Sequence, residues 1–139
     1  MLSQRPESSL RLWVRLTIVG FIVLFAAAAS AQQAAYTPEP GSAERKAIFD
    51  AMRKLGDNPT RVFVVRTLKV QNGWAWVTGD PQSPDNTSHF ETESALLRNV
   101  GSGWKVLDQP CGEGDCDFKK ELARIRAAYP SAPAGIFPP

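Results

Sequence analysis

The hydrophobic residues of this chain fall into three patterns. The first is an unbroken, uncharged run from Leu16 to Ala29, preceded by Arg11 and Arg15 and followed by Ala29-Ser30-Ala31. The second has helical spacing. Ala43, Ala47, Ile48, Ala51, Met52 and Leu55 line up as one apolar stripe of a helix, while Arg45, Lys46, Arg53 and Lys54 lie mostly off it. Ser42 is placed as its N-cap, with Glu44 in the first turn, where the helix dipole favours a carboxylate. Gly56 is placed as its C-terminal stop, and Pro59 prevents continuation.

The third pattern has period two. Arg61 to Gln71 is dense in β-branched residues, Asn72-Gly73 is a strong type I′ hairpin signal, and Trp74 to Thr78 is the returning strand. Trp74, Trp76 and Thr78 share one face of it and Ala75 and Val77 the other. Gly79 to Ser88, with Pro81 and Pro84, is expected to be an exposed, mobile loop. A second hairpin runs from His89 to Arg98, turns at Gly101-Ser102-Gly103 and returns over Trp104 to Asp108. Asp117 then caps a last helix, in which Phe118, Leu122, Ile125 and Tyr129 form the core-facing stripe and Pro130 ends it. The expected fold is α+β: an N-terminal helix, two β-hairpins forming a four-stranded antiparallel sheet, and a C-terminal helix. The simplest burial scheme puts both helices on one face, with Trp74, Trp76 or Trp104 covering the other.

The leading run changes how the rest is read. A positive start, a short apolar core and a small-x-small site before Gln32 match a secretory signal peptide over residues 1–31. An uncleaved inner-membrane anchor is the alternative, with Trp13 at the interface. No Cys follows the run, which argues against lipidation. The division is then signal 1–31, linker 32–41, α+β domain 42–130 and an extended Pro-rich tail 131–139, in which Ile136 and Phe137 suggest docking back onto the domain. The expected location is periplasmic or secreted, with no stable membrane span after cleavage.

Charge follows from that division. The chain of 139 residues carries a formal net charge of +2, but Arg5, Arg11, Arg15 and Glu7 lie in the leader. What remains holds 13 Lys/Arg against 13 Asp/Glu, without the basic excess that nucleic-acid binding normally needs. In an oxidising compartment Cys111 and Cys116 read as a disulfide closing the loop Cys-Gly-Glu-Gly-Asp-Cys.

Two groups of residues carry a resemblance. Gly73-Trp74-Ala75-Trp76-Val77, together with Ala95-Leu96-Leu97-Arg98 leading to Gly103-Trp104-Lys105-Val106-Leu107, resembles the strand signatures of small NTF2-like and cystatin-like domains, where a helix packs into a curved antiparallel sheet. Gly41 to Ile48, with Asp50-Ala51-Met52-Arg53, resembles uncharacterised exported bacterial proteins in which such a helix precedes a Gly-Trp-Ala hairpin. The resemblance covers about residues 42–108 and implies an NTF2/cystatin-like roll. It assigns no functional residues. The single leading helix departs from the NTF2-like pattern, in which additional helices help enclose a ligand cone.

Candidate sites carry two readings each. The loop from Cys111 to Cys116, with Glu113 and Asp115 at its tip, is a pre-organised protrusion for binding, or a staple fixing the start of the last helix, with Asp115 and Asp117 serving its N-terminus. Some periplasmic lysozyme inhibitors present a Cys-x4-Cys loop of the same spacing, with a His that this loop lacks. Trp74, Trp76 and Trp104 form an aromatic binding surface, or fill the core. His89 is the single His, and its neighbour Ser88 points to the opposite face of a strand, so they make no dyad there. The acids Glu113, Asp115 and Asp117 lack EF-hand spacing, and the Cys and His count leaves no zinc set. Asn86-Thr87-Ser88 matches an N-glycosylation acceptor. No cofactor or metal is expected. The leading expectation is a small non-enzymatic exported protein that binds a protein partner in the periplasm or cell envelope. The alternatives are an NTF2-like small-ligand binder or enzyme with a helix–sheet pocket, and a purely structural envelope protein.

Overall fold

A computed structural model describes residues 33–56, 58–112 and 114–139. The expected signal peptide lies outside the described residues. Among them, no helix is long and apolar enough to cross a membrane.

The elements run α1 (Ala43–Arg53), β1 (Val62–Gln71), β2 (Trp74–Gln82), β3 (Glu93–Asn99), β4 (Trp104–Asp108) and α2 (Phe118–Ala128), then a short 3-10 turn over Ala134–Ile136. The four strands pair antiparallel in the order β1-β2-β3-β4, an α+β arrangement built as a meander. Several local signals act as the sequence reads. Ser42 accepts a hydrogen bond from the Arg45 amide at 3.2 Å, and Asp117 accepts one from the Lys120 amide at 3.1 Å. Asn72 and Gly73 hold φ of 51° and 73°, the left-handed pair that a two-residue turn between twisted strands requires.

Other expectations need correction. α1 ends at a right-handed Lys54, and Gly56 is not the left-handed stop. Gly56 instead makes room for a neighbour, since a Cβ there would lie 3.0 Å from the Arg61 guanidinium carbon. β2 continues through Pro81 to Gln82, where a loop was expected. The pairing of β2 with β3 stops at Gly79–Glu93, so the ladder hydrogen bond that Pro81 cannot donate is not demanded there. Its carbonyl still accepts from the Phe90 amide at 2.9 Å. The turn from Ser83 to Ser88 is closed by its own side chains: the Asp85 carboxylate accepts from the Thr87 amide and hydroxyl, and Ser83 Oγ accepts from the Ser88 amide. Those bonds oppose the mobility expected of it. β3 begins only at Glu93, leaving His89 to Thr92 outside the strand apart from a bridge between Gln82 and His89.

The largest correction concerns the layers. Ile48, Phe49 and Met52 of α1 bury against Leu68, Val70, Ala75, Val77, Ala95, Leu97 and Trp104. Leu122 and Ile125 of α2, with Ile136 and Phe137 of the tail, bury against Trp74, Trp76 and Leu96. The helices therefore lie on opposite faces, not on one. The cause is β2, which is apolar on both sides and needs a cover on each. The tail is thus a second part of that cover and includes a 3-10 turn, so it is not simply extended. Nor is the segment before α1 a free linker. Tyr36 exchanges backbone hydrogen bonds with Val70 at 2.9 and 2.7 Å, and the Thr37 hydroxyl donates to the Leu68 carbonyl.

Candidate functional site

The connection from β4 to α2 is short, and its middle is closed covalently. Cys111 and Cys116 form the expected disulfide, with Cα atoms 5.7 Å apart. Asp115 is exposed within it, and Glu113 lies outside the described residues. Asp117 follows at once as the α2 cap. The disulfide thus closes immediately before the α2 cap, and Asp117, not the exposed Asp115, accepts from the helix N-terminus.

The loop also walls a groove of about 510 Å³ at the end of the sheet where β3 begins. Gln109 to Gly112 and Cys116 form one side, while Leu55 and Phe118 contribute apolar surface. Both of those side chains are about 40 % exposed, so the groove offers apolar as well as polar surface. Thr78, Thr92, Glu93 and Ser94 supply its polar lining. The Thr78 and Ser94 hydroxyls lie 2.9 Å apart, a cross-strand pair fixed by the β2–β3 register, and Thr78 also accepts from the Trp76 indole at 3.2 Å. Thr92 donates to Asp80 at 2.6 Å. Hydrogen bonds from Arg66 and Thr92 hold the Asp80 carboxyl below the usual range, making it a weak base.

Behind the groove stands a charge that is almost wholly buried. The Arg61 side chain is 7 % exposed and pairs with Glu93. Its Nη2 donates to the Met52 carbonyl at 2.9 Å, and its guanidinium lies 5.1 Å from the centre of the Phe63 ring. The Arg61 carbonyl accepts from Arg53 Nε at 2.9 Å. The start of β1, the end of α1 and the start of β3 thus meet at one guanidinium. Arg61 Nε and Glu93 Oε2 are buried without a partner, so the pair is not a fully satisfied one.

The three Trp residues do not form an exposed surface. Trp74, Trp76 and Trp104 are 9 %, 0 % and 8 % exposed. Trp104 also belongs to the α1 face, across the sheet from the other two, because β4 pairs with β3 in a register that points it there. Trp76 lies edge-on to Phe118 and tilted against Phe137, while Arg98 covers Trp74 at 4.7 Å. The space between α1 and the sheet, where a helix–sheet pocket would sit, holds the side chains of Ile48, Met52, Leu68, Val77, Leu97 and Trp104. His89 is exposed within the β2–β3 connection and does not line the groove.

The sequence reading singled out the stapled loop but not the groove, Arg61, Glu93 or the Thr78–Ser94 pair. Phe118 entered it as a core residue, and the structure leaves it half-exposed. One signal was available: a charged Arg61 directly before the apolar run Val62-Phe63-Val64-Val65. Comparison with protein-family models, with curated proteins and with solved structures finds no match.

Proposed function

We propose that this is a small exported, non-enzymatic protein that binds a protein partner in the periplasm or cell envelope through the Cys111–Cys116 loop and the groove beside it. The observation that carries this reading is the stapled wall set against Phe118 and Leu55. A covalently shaped loop loses little conformational entropy on binding, and exposed apolar side chains gain from burial. The residues 1–31 supply the export signal in this reading, and the disulfide suits an oxidising compartment.

The test has two arms. Protein recovered from an export-competent host is expected to begin at Gln32 by N-terminal sequencing. An unprocessed chain would count for the membrane-anchored alternative. Immobilised protein is then incubated with envelope extract, beside the variants Cys111→Ser/Cys116→Ser and Phe118→Ala. One species retained by the parent and lost from both variants is expected. Identical profiles for all three would overturn the loop as the contact surface.

A further inference from the structure

The two edges of the sheet differ. The outer edge of β1 is partly covered, by the bonds from Tyr36 and Thr37. β4 is the other edge, and among the described residues no segment pairs with its outer side. Near its end the Leu107 carbonyl accepts from the Tyr129 hydroxyl at 3.2 Å. Beside β4 runs α1, and a second groove of about 510 Å³ lies between them. Ala47 and Ala51, one turn apart on α1, keep the helix wall low, and Trp104 and Val106 form the β4 side.

The charges at this groove have one sign to offer. Asp50 borders it but is already bonded to Lys46 and Arg53, both at 2.7 Å. Lys54 and Lys105 also border it, and among the described residues neither is in an ion pair.

We propose that the β4 edge is a second binding site, which takes an extended segment of a partner protein in which apolar and acidic residues alternate. Strand addition supplies the affinity through main-chain hydrogen bonds to the free edge, and period two supplies the specificity. Partner side chains on the α1 face enter the groove against Trp104 and Val106. Those on the other face lie beside Lys105, where an opposite charge across adjacent strands is favourable. A second copy of this chain fits worse, because pairing β4 with β4 brings lysines together. That repulsion is also how an edge lysine prevents self-association while leaving an acidic strand welcome.

The experiment titrates isotope-labelled protein, as recovered from the host, with two synthetic peptides of about eight residues, one alternating Val and Glu and one alternating Val and Lys. The Val/Glu peptide is expected to shift the Trp104 to Leu107 amides and the Ala47 to Lys54 stripe saturably, with the Val/Lys peptide about tenfold weaker. The variant Lys105→Glu, checked for an unchanged melting temperature, is expected to reverse that ranking. Equal binding of both peptides overturns the proposal, as does the absence of saturable shifts at β4. So do β4 shifts that track protein concentration without peptide, the signature of a second copy. The Cys111→Ser/Cys116→Ser variant is expected to bind the Val/Glu peptide unchanged, which separates this site from the loop.

Discussion

The two faces of the sheet are both closed to water, but by different means. On one face a single amphipathic helix, α1, sets Ile48, Phe49 and Met52 into a mostly aliphatic bed. Its end is fixed by a buried charge, Arg61, which holds the Met52 carbonyl and Glu93 together. On the other face, Trp74 and Trp76 need a larger cover than one helix provides. α2 contributes Leu122 and Ile125, and the tail supplies Ile136 and Phe137, held in place by Arg126 over the Phe137 ring and bonded to the Pro138 carbonyl. One face depends on local helix periodicity and a polar clamp. The other depends on large aromatic groups and on a chain end returning from far along the sequence.

That contrast can be broken at several points. The strongest is Trp76→Ala, which empties the centre of the aromatic face and is expected to cost about 4 kcal/mol by urea denaturation. A loss under about 2 kcal/mol would mean that α2 and the tail collapse into the space, and that the face is less dependent on the ring than its burial suggests. Next is removal of residues 131–139. Uncovering Ile136 and Phe137 contacts is expected to cost about 3 kcal/mol, after the entropy of ordering the tail is set against its burial. Tryptophan emission is expected to move to the red as Trp76 meets water, while hydrogen exchange at Leu68 and Val77 on the α1 face keeps its rank relative to global unfolding. Unchanged emission would show that the tail is not part of the cover.

The clamp tests the opposite face. Glu93→Ala leaves the Arg61 guanidinium buried without its carboxylate and is expected to cost about 2 kcal/mol, less than for a fully buried pair because Glu93 is a quarter exposed. Arg61→Met with Glu93→Gln is expected to recover most of that loss, since neither leaves a charge buried. If the double variant is as unstable as the single one, packing rather than charge is what Arg61 supplies. The smallest effect concerns pH. Asp108 accepts hydrogen bonds from Arg124 at 3.0 and 2.9 Å, joining β4 to α2, and those bonds hold its carboxyl below the usual range. A carboxyl lowered on folding stabilises the fold above its unfolded pKa and loses that contribution as pH falls through the folded value. The stability difference between the parent and Asp108→Asn is therefore expected to be constant near neutrality and to shrink below about pH 4. A difference that grows on acidification would contradict the bond's role.

Much of the fold was legible because its signals are local. A Ser at a cap, an Asn-Gly turn and an Asp before an amphipathic stripe act within four residues, and each is where the sequence puts it. The disulfide was legible too, from two Cys residues five apart. The groove was not, because its lining comes from the end of α1, from β2, from the segment entering β3 and from the β4–α2 loop, with no motif tying them together. Arg61 and Glu93 are 32 positions apart and meet only through the sheet register. Trp104 was grouped with Trp74 and Trp76 by type, and pairing put it on the other side.

By itself the sequence determined the α+β class, the element order, three of the turns and caps, and the pair of cysteines. These rest on backbone preferences and short-range periodicity, which a residue carries wherever it sits. Only the tertiary structure decided that the helices take opposite faces, that β2 runs on through Pro81, and that the tail completes a core. It also decided that the tryptophans are interior while Phe118 and Leu55 are left at a groove. Those outcomes depend on which apolar surfaces remain uncovered once the strands have paired, a competition among distant segments that no single stretch of sequence expresses.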